Sequence, residues 1–302
     1  MTLAALIAAI AQVALGGIVR VTGSGDACPD WPLCHGQIIP PLDYHIWLEF
    51  THRLAATVVG VLVAVSLLLA WRHLRTSKPA VAATGASLIL VVAAAILGGL
   101  TVLSELSWWV RLIHLALAEL TVATLAIAWL VGRPDDRSGQ RGNLDMRVGR
   151  RDRMIAWAGA GGLLIVILYG SYMVGLNYGT SCPGWPLCTG LSIPDGMAFA
   201  VNMGHRYMVV VVAVLVFRAC FVAWNRGSEL PQLRWLAALT SGVLLLEIGV
   251  GALTAWLAST PLTASLHLTF ATLSWVSMVV MVAVLLDPAT FRVPTRYRAT
   301  TG

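Results

Sequence analysis

Apolar residues in this 302-residue chain are gathered into long continuous runs, with polar residues confined to the short stretches between them. The runs fall near 2–20, 48–71, 81–103, 108–132, 154–176, 199–224, 235–257 and 263–286. Each has about the twenty residues that a helix needs to cross ~30 Å of hydrocarbon. Backbone polar groups in lipid must be satisfied within their own segment, and the runs lack the alternation of barrel strands, so each is predicted as an α-helix. The expected fold class is therefore an all-α integral membrane protein with eight transmembrane helices. The first run starts beside Met1 without a basic lead or a small-residue cleavage site, and carries on through Gly16 and Gly17 as the fifth run does. It is expected to be a retained helix, not a signal peptide.

Composition agrees: 58% of residues are hydrophobic and 11% charged, against about 25% charged in an average soluble domain. The charge is one-sided. Arg72, Arg75 and Lys78 follow the second run, Arg226 and Arg234 flank the loop after the sixth, and Arg292, Arg296 and Arg298 lie in the tail. The stretch 133–153 carries seven arginines against four aspartates. Such runs can signal nucleic-acid affinity, but their alternation with membrane spans makes topology the better reading, and no nucleic-acid partner is expected. Both termini are predicted to be cytoplasmic, and the loops 21–47, 104–107, 177–198 and 258–262 extracytoplasmic.

The chain repeats itself at an offset of 153 to 154 residues. Cys28-Pro29-Asp30-Trp31-Pro32-Leu33-Cys34 matches Cys182-Pro183-Gly184-Trp185-Pro186-Leu187-Cys188, and Pro40 matches Pro194. Thr51-His52-Arg53 matches Gly204-His205-Arg206, and His114 matches His267. Two four-helix halves follow, residues 1–132 and 154–302, joined by the basic linker 133–153. An even number of spans per half makes them a parallel repeat, related by an axis along the membrane normal.

Counted from the extracytoplasmic side, His52 and His114 lie about five and six residues into their helices, which at ~1.5 Å per residue puts both at one level of the outer leaflet. His205 and His267 repeat the arrangement. A histidine inside a membrane helix can be an interhelical hydrogen-bond partner. Four at matched depth, in two pairs on alternate helices, fit haem ligation better, because two neutral imidazoles from facing helices grip haem iron from both sides. No Cys, Asp or Glu stands one helical turn from His205 or His267 to complete a bare zinc or copper site. Arg53, Arg206 and Arg111 sit beside these histidines and are candidate partners of haem propionates, or else snorkel to lipid phosphate.

Four of the five cysteines form two C-x5-C pairs in the extracytoplasmic loops, where Cys28–Cys34 and Cys182–Cys188 disulfides can persist. Each can be a structural staple or a redox dithiol. Trp31 stands where a covalent c-type haem motif needs cysteine, which excludes that attachment. Cys220, deep in the sixth run, reads as a packing residue. The halves differ at one informative place: Glu49, one turn before His52, is matched by Asn202. A carboxylate beside a haem can take up a proton or stabilise positive charge, so chemistry is expected in the first half. The alternative is a helix-start glutamate favoured by the dipole. Glu119 and Glu247 have no repeat partner and admit two readings, a proton route or an interhelical contact.

Taken together, Thr22-Gly23-Ser24-Gly25, the Cys28 to Gly36 loop, Glu49-x-x-His52-Arg53, His114, Asn202-x-x-His205-Arg206 and His267 resemble the haem A synthase family over nearly the whole chain. The resemblance implies a substrate, haem O, held between His52 and His114, and a haem b cofactor between His205 and His267. It implies oxidation of one haem O methyl group in successive steps to a formyl group, for cytochrome oxidase. Glu49, Cys28 and Cys34 are the implied catalytic positions, with Cys182–Cys188 structural. A bacterial plasma membrane is implied, with membrane lipid, haem O synthase and a quinol or other electron carrier as partners. A homo-oligomer is left open. Two other functions stay in play: a di-haem b-type quinol cytochrome and a disulfide-exchange protein, although the latter usually carries C-x-x-C and needs no intramembrane histidines.

Overall fold

The computed structural model describes residues 1–75, 77–132, 148–188, 196–228 and 230–286. Among them are eight helices: α1 (Thr2–Val21), α2 (Tyr44–His73), α3 (Lys78–Leu103), α4 (Trp108–Val131), α5 (Arg150–Gly175), α6 (Met197–Arg226), α7 (Pro231–Trp256) and α8 (Pro261–Leu286). All eight are long and apolar enough to cross a membrane, and the chain is an all-α multi-pass membrane protein. Residues 133–147 of the basic linker, Pro194, and Arg292, Arg296 and Arg298 of the tail lie outside the described residues.

Each helix starts and stops for local reasons. The Asp43 carboxylate accepts from the backbone N–H groups of His45 (2.9 Å) and Ile46 (3.2 Å), which starts α2 four residues before its apolar run. Pro79, Pro231 and Pro261 stand in the first turns of α3, α7 and α8, where no N–H is needed. Many hydroxyls inside the spans turn back on their own helix, as Thr84 does to Ala80 O (2.7 Å) and Thr121 to Leu117 O (2.7 Å), which satisfies these donors without water.

Within the first half α1 and α3 each pack on both α2 and α4, closing a ring with α2 and α4 at opposite corners; α5 and α7 do the same for α6 and α8. The halves meet through α1, α4, α5 and α8, and α8 is the most buried span. Association in lipid depends on close packing of small residues. Ala5, Ala9 and Val13 of α1 join Val122 and Ala126 of α4 and Met278, Met281 and Val282 of α8 in one core. Gly17 of α1 leaves room for Leu268 of α8, and Gly159 of α5 for Met278. Cys220 is buried against Met281, in keeping with a packing role.

A few polar ties cross this apolar seam. Thr272 Oγ lies 2.7 Å from Glu119 Oε1, and the Trp275 indole donates to the Glu119 carbonyl at 3.1 Å. Arg20 donates to the Ser171 hydroxyl and carbonyl, both at 3.3 Å, linking α1 to α5.

Candidate functional site

The four histidines are seated by one device used four times. A Cβ built on Gly16 of α1 would come within 2.9 Å of His52 Cε1, and one on Gly98 of α3 within 3.3 Å of His114 Cε1. In the second half Gly170 of α5 meets His205 Cε1 at 3.1 Å and Gly251 of α7 meets His267 Cε1 at 2.9 Å. Each imidazole edge thus rests in a gap where any side chain would displace it. The corner helices α2, α4, α6 and α8 supply the rings; the helices between them supply the gaps.

The second ring nitrogen has four different surroundings. Gln12 Nε2 lies 3.0 Å from His52 Nδ1 and donates to the His52 carbonyl at 2.9 Å. His114 Nδ1 is 2.8 Å from the Ala94 carbonyl. His205 Nδ1 has no partner among the described residues, its ring lying parallel to Tyr169 at 6.3 Å. His267 Nδ1 is 2.8 Å from Glu247 Oε1. Among the described residues Nε2 makes no hydrogen bond in any of the four, and it is the nitrogen a haem ligand offers. Within each half the two rings belong to opposite corner helices, α2 with α4 and α6 with α8. Among the described residues no three His, Cys, Asp or Glu side chains converge on a bare ion. Paired imidazoles with a free Nε2, seated edge-on against glycine, fit a planar group that brings its own equatorial ligands.

The arginines next to the histidines hold something else. Arg53 donates from Nε to Glu49 Oε1 (2.9 Å), from Nη1 to the Asp30 and Leu33 carbonyls (both 2.6 Å), and from Nη2 to the Cys28 carbonyl (2.9 Å). Arg206 repeats this on Asn202 Oδ1 (3.2 Å) and the Gly184, Pro186 and Cys182 carbonyls. Four of the five donors of each guanidinium are committed to clamping the cysteine loop onto the histidine helix. Sequence reasoning reached for propionates because it had no view of these carbonyls. Arg111 keeps a buried Nε without a partner among the described residues.

Both cysteine pairs are at disulfide distance, with Cα–Cα of 4.8 Å in each. Cys28 and Cys34 are wholly buried. The loops are not identical. Asp30 accepts from the backbone N–H groups of His35 (2.6 Å) and Gly36 (2.8 Å), and the Gly36 N–H above all, helped by His35 and by the charge of Arg53, holds its carboxyl below the usual range. At the matching Gly184 a Cβ would lie 2.5 Å from the Cys188 carbonyl, so the second loop excludes such a side chain. Trp31 inserts against Gly99 of α3, beside the seat of His114. Ser24, fully buried, lies 2.8 Å from both Thr22 Oγ and His45 Nδ1, and the second half has Tyr178 and Ala198 at the matching places.

Glu49 is 5% exposed and Asn202 3%, each one turn before its histidine. Sequence reasoning found this pair, the histidines and the cysteines. It missed the glycine seats, Gln12, Arg20, Asp30 and the contact of Glu247, although Gly16 with Gly170 and Gly98 with Gly251 were present as repeat matches.

The chain matches the family model of a cytochrome oxidase assembly protein, COX15-CtaA, over residues 1–46 and 42–279. It is similar to the heme A synthase of Alkalihalophilus pseudofirmus, 27% identical over 239 residues, covering 78% of each chain. It is 29% identical to that of Symbiobacterium thermophilum over 243 residues (79% of each), and 25% identical to that of Bacillus cereus over 263 residues (85% of this chain, 84% of the relative). The helices, the paired histidines and this match together place the chain in the COX15-CtaA family of cytochrome oxidase assembly proteins.

Proposed function

We propose that the chain is a haem A synthase, an oxidoreductase that converts a methyl group of haem O to a formyl group. The first half, residues 1–132, holds haem O between His52 and His114; the second, residues 154–302, holds haem b between His205 and His267. The observation that carries this is a single difference in a matched frame. Glu49 and Asn202 both orient the loop-clamping arginine, but only Glu49 does so with a carboxylate, one turn before the histidine of its helix. Relatives that bear the name heme A synthase, aligned over about four fifths of the chain, support the substrate.

The residues of the first chamber have separable tasks. His52 and His114 hold and orient the substrate, with Gly16 and Gly98 fixing ring positions. Glu49 commits Oε1 to Arg53, which leaves its other oxygen to take a proton or face positive charge developing on the substrate. Cys28 and Cys34 close the ring over this carboxylate, joined to it by Arg53. Trp31 packs against Gly99, the residue after the Gly98 seat of His114. Arg111, with an unengaged buried Nε, is the guanidinium best placed to meet a propionate. In the second half, haem b supplies one-electron chemistry when bound, and Cys182–Cys188 acts as a staple. The cysteine loops face outward from a bacterial plasma membrane, because the ends of α2 and α6 and the starts of α3, α5 and α7 collect arginine and lysine. Haem O synthase and a quinol are the partners of this reading.

Co-expression with a source of haem O, followed by chromatography of extracted haems, tests it. Hydroxylated and formyl haem should accumulate with the parent chain and fall to background with Glu49→Gln, while the second haem stays bound. Absence of both products with the parent chain overturns the proposal.

A further inference from the structure

Among the described residues Glu247 is the one carboxylate at ion-pair distance from a histidine of either pair. Its Oε1 lies 2.8 Å from His267 Nδ1, and Gly251, one turn further along α7, receives the edge of the same ring. Helix α3 presents the same two features to His114, with one substitution. Gly98 receives the ring edge, and Ala94, which holds the place of Glu247 in the repeat, offers only its backbone carbonyl at 2.8 Å. A carbonyl is therefore enough to orient such a ring. A glutamate inside a membrane helix, with Oε2 left without a partner among the described residues, is an expensive way to do the same job.

What a carboxylate adds is basicity. A carboxylate in contact with the Nδ1 edge of a ligating imidazole makes that ring a stronger electron donor than a carbonyl does, and stabilises the oxidised metal. The other ring of the pair, His205, has no carboxylate against its Nδ1 among the described residues, so it adds no competing effect. We propose that Glu247 sets the reduction potential of the haem held by the second half, acting through His267 as a positioning residue that does not touch the haem. It holds that haem at a lower potential than a carbonyl acceptor would. This rests on the two-histidine haem reading above.

The test uses the full chain, purified with its haem, in a His52→Ala background that disables the first chamber, and compares Glu247 with Glu247→Gln and Glu247→Asp by spectroelectrochemical titration. Glu247→Gln should keep its haem and shift the ferrous-to-ferric ratio at fixed potential by about tenfold towards ferrous, a rise of about 59 mV for a one-electron couple. Glu247→Asp should stay closer to the parent. An unchanged potential with haem retained overturns the proposal, as does loss of haem from Glu247→Gln, which would make the residue a retaining group only. Absence of haem from the parent background overturns the two-histidine reading itself, a separate result read before any variant is compared.

Discussion

The two halves of the molecule differ far less in scaffold than in the groups that finish each chamber. Both close a ring of four helices, seat each histidine on a glycine and clamp a seven-residue cysteine ring with an arginine. The first half then adds Glu49, Asp30 and the Ser24–His45 pair; the second adds Glu247. The scaffold positions, and the additions divide the labour. On the proposed function, the carboxylate paired with the loop arginine lies where the substrate is processed, and the carboxylate behind His267 where the cofactor is tuned.

The glycine seats offer the largest effects with which to break this comparison. Gly251→Val should empty the second chamber and Gly98→Val the first, each leaving the other intact. Haem per polypeptide, measured by absorption, should reveal a loss of affinity of about tenfold or more at the affected site, the scale seen when groups that orient metal ligands are altered. Equal loss from both chambers would mean that the halves do not bind independently.

Removing a clamp is the next largest perturbation. Arg53→Ala leaves Glu49 and three loop carbonyls without their cation and should destabilise the protein by about 3–5 kcal/mol in thermal unfolding. Arg206→Ala, which strips donors from an amide and three carbonyls and leaves no carboxylate unpaired, should cost about 1–3 kcal/mol. Glu49→Gln should stay within about 1 kcal/mol of the parent, since Asn202 shows that an amide serves the clamp. That separation of stability from product formation sharpens the assignment of chemistry to the first half.

A smaller difference should appear with pH. Asp30 is held below its ordinary value in the folded loop, so its ionised form favours order above the unfolded value of about 3.9, and that contribution is lost as pH falls through the folded value. Hydrogen exchange at His35 and Gly36 should accelerate below about pH 4. The second loop, with glycine at the matching place, should not respond in this way. The smallest effect is expected from Thr272→Val, which removes one hydrogen bond across the seam and should cost about 1 kcal/mol with both haem sites unchanged.

Much of this was legible in the sequence because lipid leaves few options. The eight apolar runs became eight helices, and the main boundary errors fall where a polar cap or a basic turn lengthens a helix beyond hydrocarbon, as Asp43 does at Tyr44 and Arg72 with His73 at the other end of α2. The histidines stood out as ionisable residues in apolar surroundings. The clamp made by Arg53 and Arg206 was hidden because a guanidinium reaches across about twenty residues of sequence to loop carbonyls. Glu119 and Glu247 looked partnerless because like was compared with like; one lies against Thr272 at its own repeat position, and the other stands where its counterpart uses only backbone. Glycine is common in membrane helices, and nothing local separated the four seats from the rest.

The tie between Glu119 and Thr272 is a place where one position of the repeat meets its own copy. A dimer of two identical halves would have to put the same side chain there twice. Two carboxylates would repel in a medium that screens nothing, and two threonines would leave the indole and carbonyl beside them to pack around a smaller pair. Fusing the halves into one chain lifts that constraint: a self-facing contact can be built from two unlike residues, and the seam, like the chambers on either side of it, is free to become unequal.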